Sequence, residues 1–370
     1  MKFATVNSQK FDLHWRGTLA EYVTAIAWSP DGQTLAVSDA AGEVMLWHYD
    51  KKLETLQASN GISVDCIAFS WDGQFLAVGE QDGRVKVWRW RENELIATLE
   101  NAPAWVDKLA WSPTSNQLAF SLGRYVQVWD ADTSNIEVTL NFDNSSVLGI
   151  DWHPNGQYLA IAGYQGAKIW HAQDWNEDPD LIDIPSASVA IAWSTDGKYF
   201  AAGNMDRTIF VLEWNNPNPP QSSLEGRKIR NEFYPWVMRG FPGKIRHLAW
   251  SDTKTQLDAP LLACSSLEGI VVWEANDNLG WDSTLLHEHT GVVQAIAFQP
   301  GSFLLASAAE DGWLCLWHKG KQLAQILDDA TSGLSCLAWH PQGRQIAAGS
   351  QNGELLIWSK TTRAEGFGRR

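Results

Sequence analysis

The sequence predicts an all-β fold: an eight-bladed β-propeller of four-stranded antiparallel blades, closed by the N-terminal strand. One pattern recurs eight times in 370 residues: an apolar strand ending in Ala-Trp or Ala-Phe (or a close variant), a turn, a second strand, a Gly turn, and a third strand ending in Trp. The first-strand aromatics are Trp28, Phe69, Trp111, Trp152, Trp193, Trp250, Phe298 and Trp339; the third-strand closers are Trp47, Trp88, Trp129, Trp170, Leu212, Trp273, Trp317 and Trp358. Most steps between closers are 41 or 42 residues, with one of 61 after Leu212 and one of 44 after Trp273. A fixed period of this size, built from short strands, is one supersecondary unit repeated. Within each unit apolar and other residues alternate with period two, and Asp-Gly, Asn-Gly and Gln-Gly turns separate the runs, which argues an antiparallel meander. Of 22 Trp, 13 fall at the two recurring positions, so most of the indole content belongs to the architecture and fills space between neighbouring blades.

The units follow in order. The first, near 17–57, reads TAIAWSPDGQTLAV, closes with EVMLW, and adds a fourth strand LETLQ at 53–57. The second, near 58–99, reads DCIAFSWDGQFLAV, closes with RVKVW and adds LIATL. The third, near 100–140, has a shortened turn, SLGRY, and a fourth strand IEVTL; the fourth spans about 141–184. The fifth, near 185–239, closes in Leu212 and carries an insert at 213–235. The sixth, near 240–286, has long loops expected at 252–259 and 274–283; the seventh and eighth run near 287–327 and 328–360, before a tail at 361–370. After Trp358 only SKTTRAEGFGRR remains, a poor strand, whereas KFDLHW at 10–15 is a strand without a blade. The economical solution is that this N-terminal strand completes the eighth blade, which leaves only short, protected sheet edges. Seven-bladed rings are commoner, but eight full units are present.

Net charge is −15 and the pI near 5.0, which disfavours non-specific attraction to phosphate backbones. Cys66, Cys264, Cys315 and Cys336 each fall inside an expected inner strand, with no CxxC spacing, so buried free thiols are expected rather than disulfides or a zinc site. The N-terminus lacks an apolar run of signal-peptide length, and a cytoplasmic location is expected.

The seventh unit, HEHTGVVQAIAF followed by LLASAAEDGWLCLW, brings the chain to a known family: it resembles a WD-repeat propeller over essentially its whole length. In that family a His, a Ser or Thr, an Asp and the closing Trp form a hydrogen-bonded chain inside a blade. The resemblance implies that role for His289, Ser307, Asp311 and Trp317, while other units keep fragments such as Asp82 with Trp88. It also implies a non-catalytic scaffold or adaptor that presents its loop faces to partner proteins, with no cofactor. No single partner is implied.

A Ser, a His and an Asp in one unit also invite a hydrolase reading. Against it, these groups satisfy one another between strands, and no GxSxG turn exposes a nucleophile. His287 and His289 flank Glu288 without a second cluster of ligands, so no metal site is expected. A quinone-dependent propeller enzyme would show a Thr-Gly-Lys turn before its Trp, which is absent, and no glycine-rich phosphate loop occurs. The enzyme alternative, hydrolase or cofactor-dependent, would need convergent carboxylates, His or Lys at the channel mouth; the positions that can be registered there are mostly small, apolar or amide.

Register gives candidate binding residues. Positions six before each first-strand aromatic, and two before each Gly between the second and third strands, lie on one rim. Tyr22, Trp105, Tyr164, Met205 and Leu267 stand there as apolar or amphipathic residues where polar ones would serve solubility better. Tyr22 with Trp105 also suggests a partial aromatic cage for a basic or modified peptide. A second candidate is the blade 5 insert with Arg227, Lys228 and Arg230, where the stretch 227–246 reverses the local charge and interleaves Phe233, Tyr234, Trp236 and Phe241. Arg with aromatics suits an acidic partner or, with less support, single-stranded nucleic acid.

Overall fold

The computed structural model describes residues 10–49, 52–143, 145–214, 235–278 and 280–361. These form eight four-stranded antiparallel sheets. Blades 1 to 7 each use four consecutive strands. Blade 8 consists of Leu334–Trp339, Gln345–Ser350 and Glu354–Lys360, and takes its outer strand from Phe11–Thr18. That strand pairs Phe11 with Lys360 and Thr18 with Glu354, so the N-terminal strand latches the ring. Phe11 is buried there, its ring 5.5 Å from Trp339.

Each blade twists, leaving wedges between neighbours that large side chains must fill. The first-strand aromatics do so. The indole Nε1–H of Trp28, Trp111, Trp152, Trp250 and Trp339 each donates to an alanine carbonyl in the first strand of the preceding blade, at 2.9–3.2 Å. In the bond that crosses the closure, Trp28 of blade 1 reaches Ala338 of blade 8. The residue after the aromatic adds a second tie on the other side of the ring in three blades. The side chains of His153, Gln299 and His340 meet the turn-glycine carbonyls of Gly197, Gly343 and Gly32 in the next blade. Alanines and valines of the second strands are fully buried behind them, as near-continuous apolar runs flanked on both faces require.

Blade 6 departs from expectation. The stretches 252–259 and 274–283 are not long loops, because strand pairing runs outward through Lys254 with Pro260 and Ala275 with Trp281. Lys254 holds the first hairpin by ion pairs to Asp196 (2.9 Å) and Asp258 (3.2 Å). Trp281 anchors the second, packing edge-on against Tyr199 (5.5 Å), Trp250 and Trp236. The four Cys are free, but Cys264 and Cys315 sit in the second and third strands of their blades; only Cys66 and Cys336 are in first strands. Burial pushes their thiols up, to about 11 for Cys336 and about 12 for Cys264 and Cys315. No helix among the described residues is long and apolar enough to cross a membrane.

Phe11→Ala should cost about 3–5 kcal/mol, as a large-to-small core change does, because it removes the buried ring of the closing strand. Thermal melting checks this, and a near-neutral result would contradict the latch.

Candidate functional site

The face that carries the rim positions is built by a repeated backbone tie. In five blades the residue opening the turn between strands two and three donates its N–H to the lead-in of the first strand: Ala40 to Tyr22, Gln81 to Ser63, Met205 to Ala187, Glu310 to Val292 and Gln351 to Gly333, at 2.8–3.0 Å. Glycine fills the left-handed position in four of these turns, and Arg207 (φ 66°) takes it in blade 5. Gly83 (φ +91°) and Gly353 (φ +89°) are left-handed, and a Cβ on either would meet the next blade's lead-in carbonyl at 2.7 Å.

On this face Trp105 is 63% exposed, Tyr164 53% and Met205 49%. Tyr22 is at the edge of exposure; partial burial raises its pKa, with Cys336 and Glu310 adding to the shift and Ser335 opposing it. Leu267 differs. It is half-buried, left-handed at φ 54°, and so close to Gly243 that a Cβ there would meet it at 2.9 Å. Leu267 therefore packs against the neighbouring lead-in instead of standing free. Tyr22 and Trp105 lead into blades 1 and 3, with blade 2 between them, so they do not make one cage. Arg227, Lys228 and Arg230 lie outside the described residues. Of the aromatics beyond them, Trp236 belongs to the blade 5–6 cluster and Phe241 is buried beside Trp273.

Two exposed residues of the same face escaped the register. Arg124 and Tyr125 follow the shortened turn of blade 3, whose lack of a normal glycine spacing hid their equivalence. Tyr125 is 46% exposed.

The seventh blade contains the hydrogen-bonded set. Trp317 Nε1–H donates to Ser307 Oγ (2.9 Å), Ser307 and His289 Nε2 share a bond of 2.7 Å, and His289 Nδ1 meets Asp311 Oδ2 at 3.1 Å. Burial holds the imidazole pKa down in spite of the Asp311 carboxylate, so the ring is neutral at pH 7. A neutral ring that donates from Nδ1 to Asp311 has to accept at Nε2, and Ser307 O–H supplies that proton. Asp311 then receives the backbone N–H of Trp313 (3.0 Å) and of Thr290 (2.9 Å), tying the turn to the lead-in. Ser307 is fully buried, so the three groups that resemble a hydrolytic triad have no path to a substrate.

Blades 1 and 2 solve the same problem from another position. Asp39, last in its strand, accepts from Ala41 (3.0 Å), Glu43 (2.8 Å) and Glu21 (3.2 Å). Glu80, at the equivalent place, is fully buried and held by Lys86 Nζ (2.8 Å) and Gln57 Nε2 (2.9 Å). Sequence reasoning missed both, since a carboxylate at the end of an apolar strand reads as a turn residue.

The ring of four-stranded blades, with a His–Ser–Asp–Trp chain inside one of them, defines a WD-type propeller. The family model described as "WD domain, G-beta repeat" matches residues 9–48, 50–89, 136–171, 184–212, 282–318 and 321–359, more than half of the chain, and the chain belongs to that family. No curated protein matches it. The unmatched stretches hold most of blade 3, with its shortened turn, and most of blade 6, with its extended hairpins.

Ser307→Ala should cost about 1–3 kcal/mol, because it leaves Trp317 N–H and His289 Nε2 buried without partners. The depressed His289 pKa has a definite sign: the unfolded chain takes up the proton first, near the ordinary value of about 6.5, so stability is held above that pH and lost as pH falls below it. Buried His340 and half-buried His247 act in the same direction. Thermal melts between about pH 7.5 and 5 should fall, and fall less steeply in a His289→Gln variant.

Proposed function

We propose that the protein is an interaction scaffold, without catalytic chemistry of its own, that binds a partner protein on the face built by the lead-ins and the turns between second and third strands. The observation that carries this is the solvent exposure of Trp105, Tyr164 and Met205 together on that face, with the less exposed Tyr22 in the lead-in to blade 1. Aromatic rings held on rigid backbone are the residues that dominate binding energy when a partner covers them, because they lose little conformational entropy on burial. Membership of the WD-repeat family supports the reading, since propellers of that family generally serve as interaction scaffolds. Met205 and Tyr22 belong to backbone-tied turns and the Tyr164 N–H is held by Ser145 Oγ (2.9 Å), which pre-organises these positions, so association need not order them first.

A Tyr22→Ala, Trp105→Ala, Tyr164→Ala triple variant should melt within about 0.5 kcal/mol per site of the parent, as exposed substitutions do, while losing its partner in affinity capture from the native host. Retention of every captured protein by the variant would overturn the assignment of this face, and absence of any captured protein would remove the scaffold reading's main support.

A further inference from the structure

The interaction face is split by charge. Over blades 3 to 6 it presents Arg124, Arg207, Arg239, Lys244 and Arg246, all exposed, and none makes an ion pair with a described residue. Among them Asp107 is paired with Lys108 (3.1 Å) and Asp143 with Lys168 (2.7 Å), while Asp206, which accepts from the Thr208 hydroxyl (2.7 Å), and exposed Asp183 have no described ion pair, so the unpaired cations still outnumber the unpaired carboxylates. Glu268 closes this arc on blade 6. Across blades 7, 8 and 1 the sign reverses, with Glu288, Glu310, Asp328, Glu21 and Glu43 and no described ion pair on any of them. The exposed apolar side chains are not shared evenly: Trp105, Tyr125, Tyr164 and Met205 belong to the basic side, and the less exposed Tyr22 stands on the acidic side. In a protein of net charge −15 such a local excess of unpaired guanidinium and ammonium groups beside aromatic rings is not a consequence of composition.

Resting on the scaffold reading above, we propose that the arc of blades 3 to 6 is the docking surface for an acidic segment of a partner protein, whose apolar side chains seat among Trp105, Tyr125, Tyr164 and Met205 while its carboxylates meet the surrounding cations. The physical case has three parts. Unpaired Arg side chains offer planar, bidentate donors suited to carboxylates and are weakly hydrated, so little is lost when they are covered. The cations flank the apolar patch: Arg124 follows the turn of blade 3 and Lys244 and Arg246 lead into blade 6, on either side of Tyr164 in blade 4 and Met205 in blade 5. The opposite acidic arc repels any anion that extends past the aromatic patch, which fixes the orientation of a short acidic segment. A nucleic-acid strand, with charge at every residue, would run into that arc and into the overall negative field, so a protein segment is favoured.

The test is fluorescence anisotropy with four labelled probes of equal length: a Glu/Asp peptide with interspersed Phe and Leu, its Lys counterpart, a neutral Gln/Ser counterpart, and oligo-dT. The acidic peptide should bind best, and weaken about ten-fold between about 50 and about 300 mM salt as screened contacts do. An Arg124→Glu, Arg207→Glu, Lys244→Glu, Arg246→Glu variant should weaken it about ten-fold or more with an unchanged melt, whereas Glu21→Gln leaves it within about two-fold. Equal binding of the Lys peptide, or acidic-peptide binding undiminished in the charge-reversed variant, would overturn the proposal; tighter binding of oligo-dT would replace it with nucleic acid. The partner captured from the host separates the two readings. If the alanine variant loses it and the charge-reversed variant keeps it, the face stands as a docking surface and the acidic segment fails alone. If both keep it, both fail.

Discussion

A ring of sheets depends on what fills the wedge between one blade and the next. Here that is an aromatic ring at the end of each first strand, and in five blades its indole N–H is satisfied by the alanine carbonyl one blade back. The bond does two things at once. It settles a polar group that burial would otherwise leave costly, and it fixes the angular offset between sheets, because a donor on a rigid ring reaches one carbonyl only. The regular succession of blades, and with it the presence of Trp105, Tyr164 and Met205 on one face, follows from that offset. Trp193 shows the interaction by exception. The residue before the aromatic in blade 4 is Asp151 rather than alanine; its carboxylate takes the backbone N–H of Trp193 at 2.8 Å, and the indole Nε1 is left without a hydrogen bond. Burial raises that carboxyl to about 7, the cost of setting an acid in the inter-blade wedge.

The eight aromatic positions and eight closers were legible because each repeat meets the same environment, so one solution is written eight times. Closure by the strand before the first blade was legible for a related reason: a strand with no partner of its own must find one. The site was less so. Tyr22, Trp105, Tyr164 and Met205 could be placed on one rim by counting from the aromatics, but exposure depends on what the neighbouring loop does. Leu267 has the same count and is half-buried against Gly243. Arg124 and Tyr125 were hidden by a turn two residues out of step. The hairpins at Lys254 and Trp281 read as loops because the charged and polar residues that extend them carry no alternating apolar pattern, their pairing being held instead by ion pairs and aromatic contacts outside the blade core.

The turn-to-lead-in junction shows how loosely chemistry and architecture can be coupled. One blade meets it with a neutral His between Ser307 and Asp311, one with Asp39 accepting three backbone N–H groups, and one with a buried Glu80–Lys86 pair. Each satisfies the same backbone donors or buries the same corner. A buried ion pair contributes little net stability because desolvation offsets attraction, so equivalence of geometry does not mean equivalence of energy, and the blades need not open with equal ease.

The latch strand has a consequence for how the chain comes together. Phe11–Thr18 precedes every other strand of the ring, and the strand it pairs with, Glu354–Lys360, follows seven complete blades. Seven blades can fold in turn from local hairpins, yet the contacts of the closing strand span more than three hundred residues, as the Phe11 N–H to Gln325 and Trp28 to Ala338 bonds do. Loop closure over such a distance is slow relative to hairpin formation. Until the eighth blade is made, the exposed strand edges at both ends of the growing arc are open to wrong partners, including another copy of the same nascent chain.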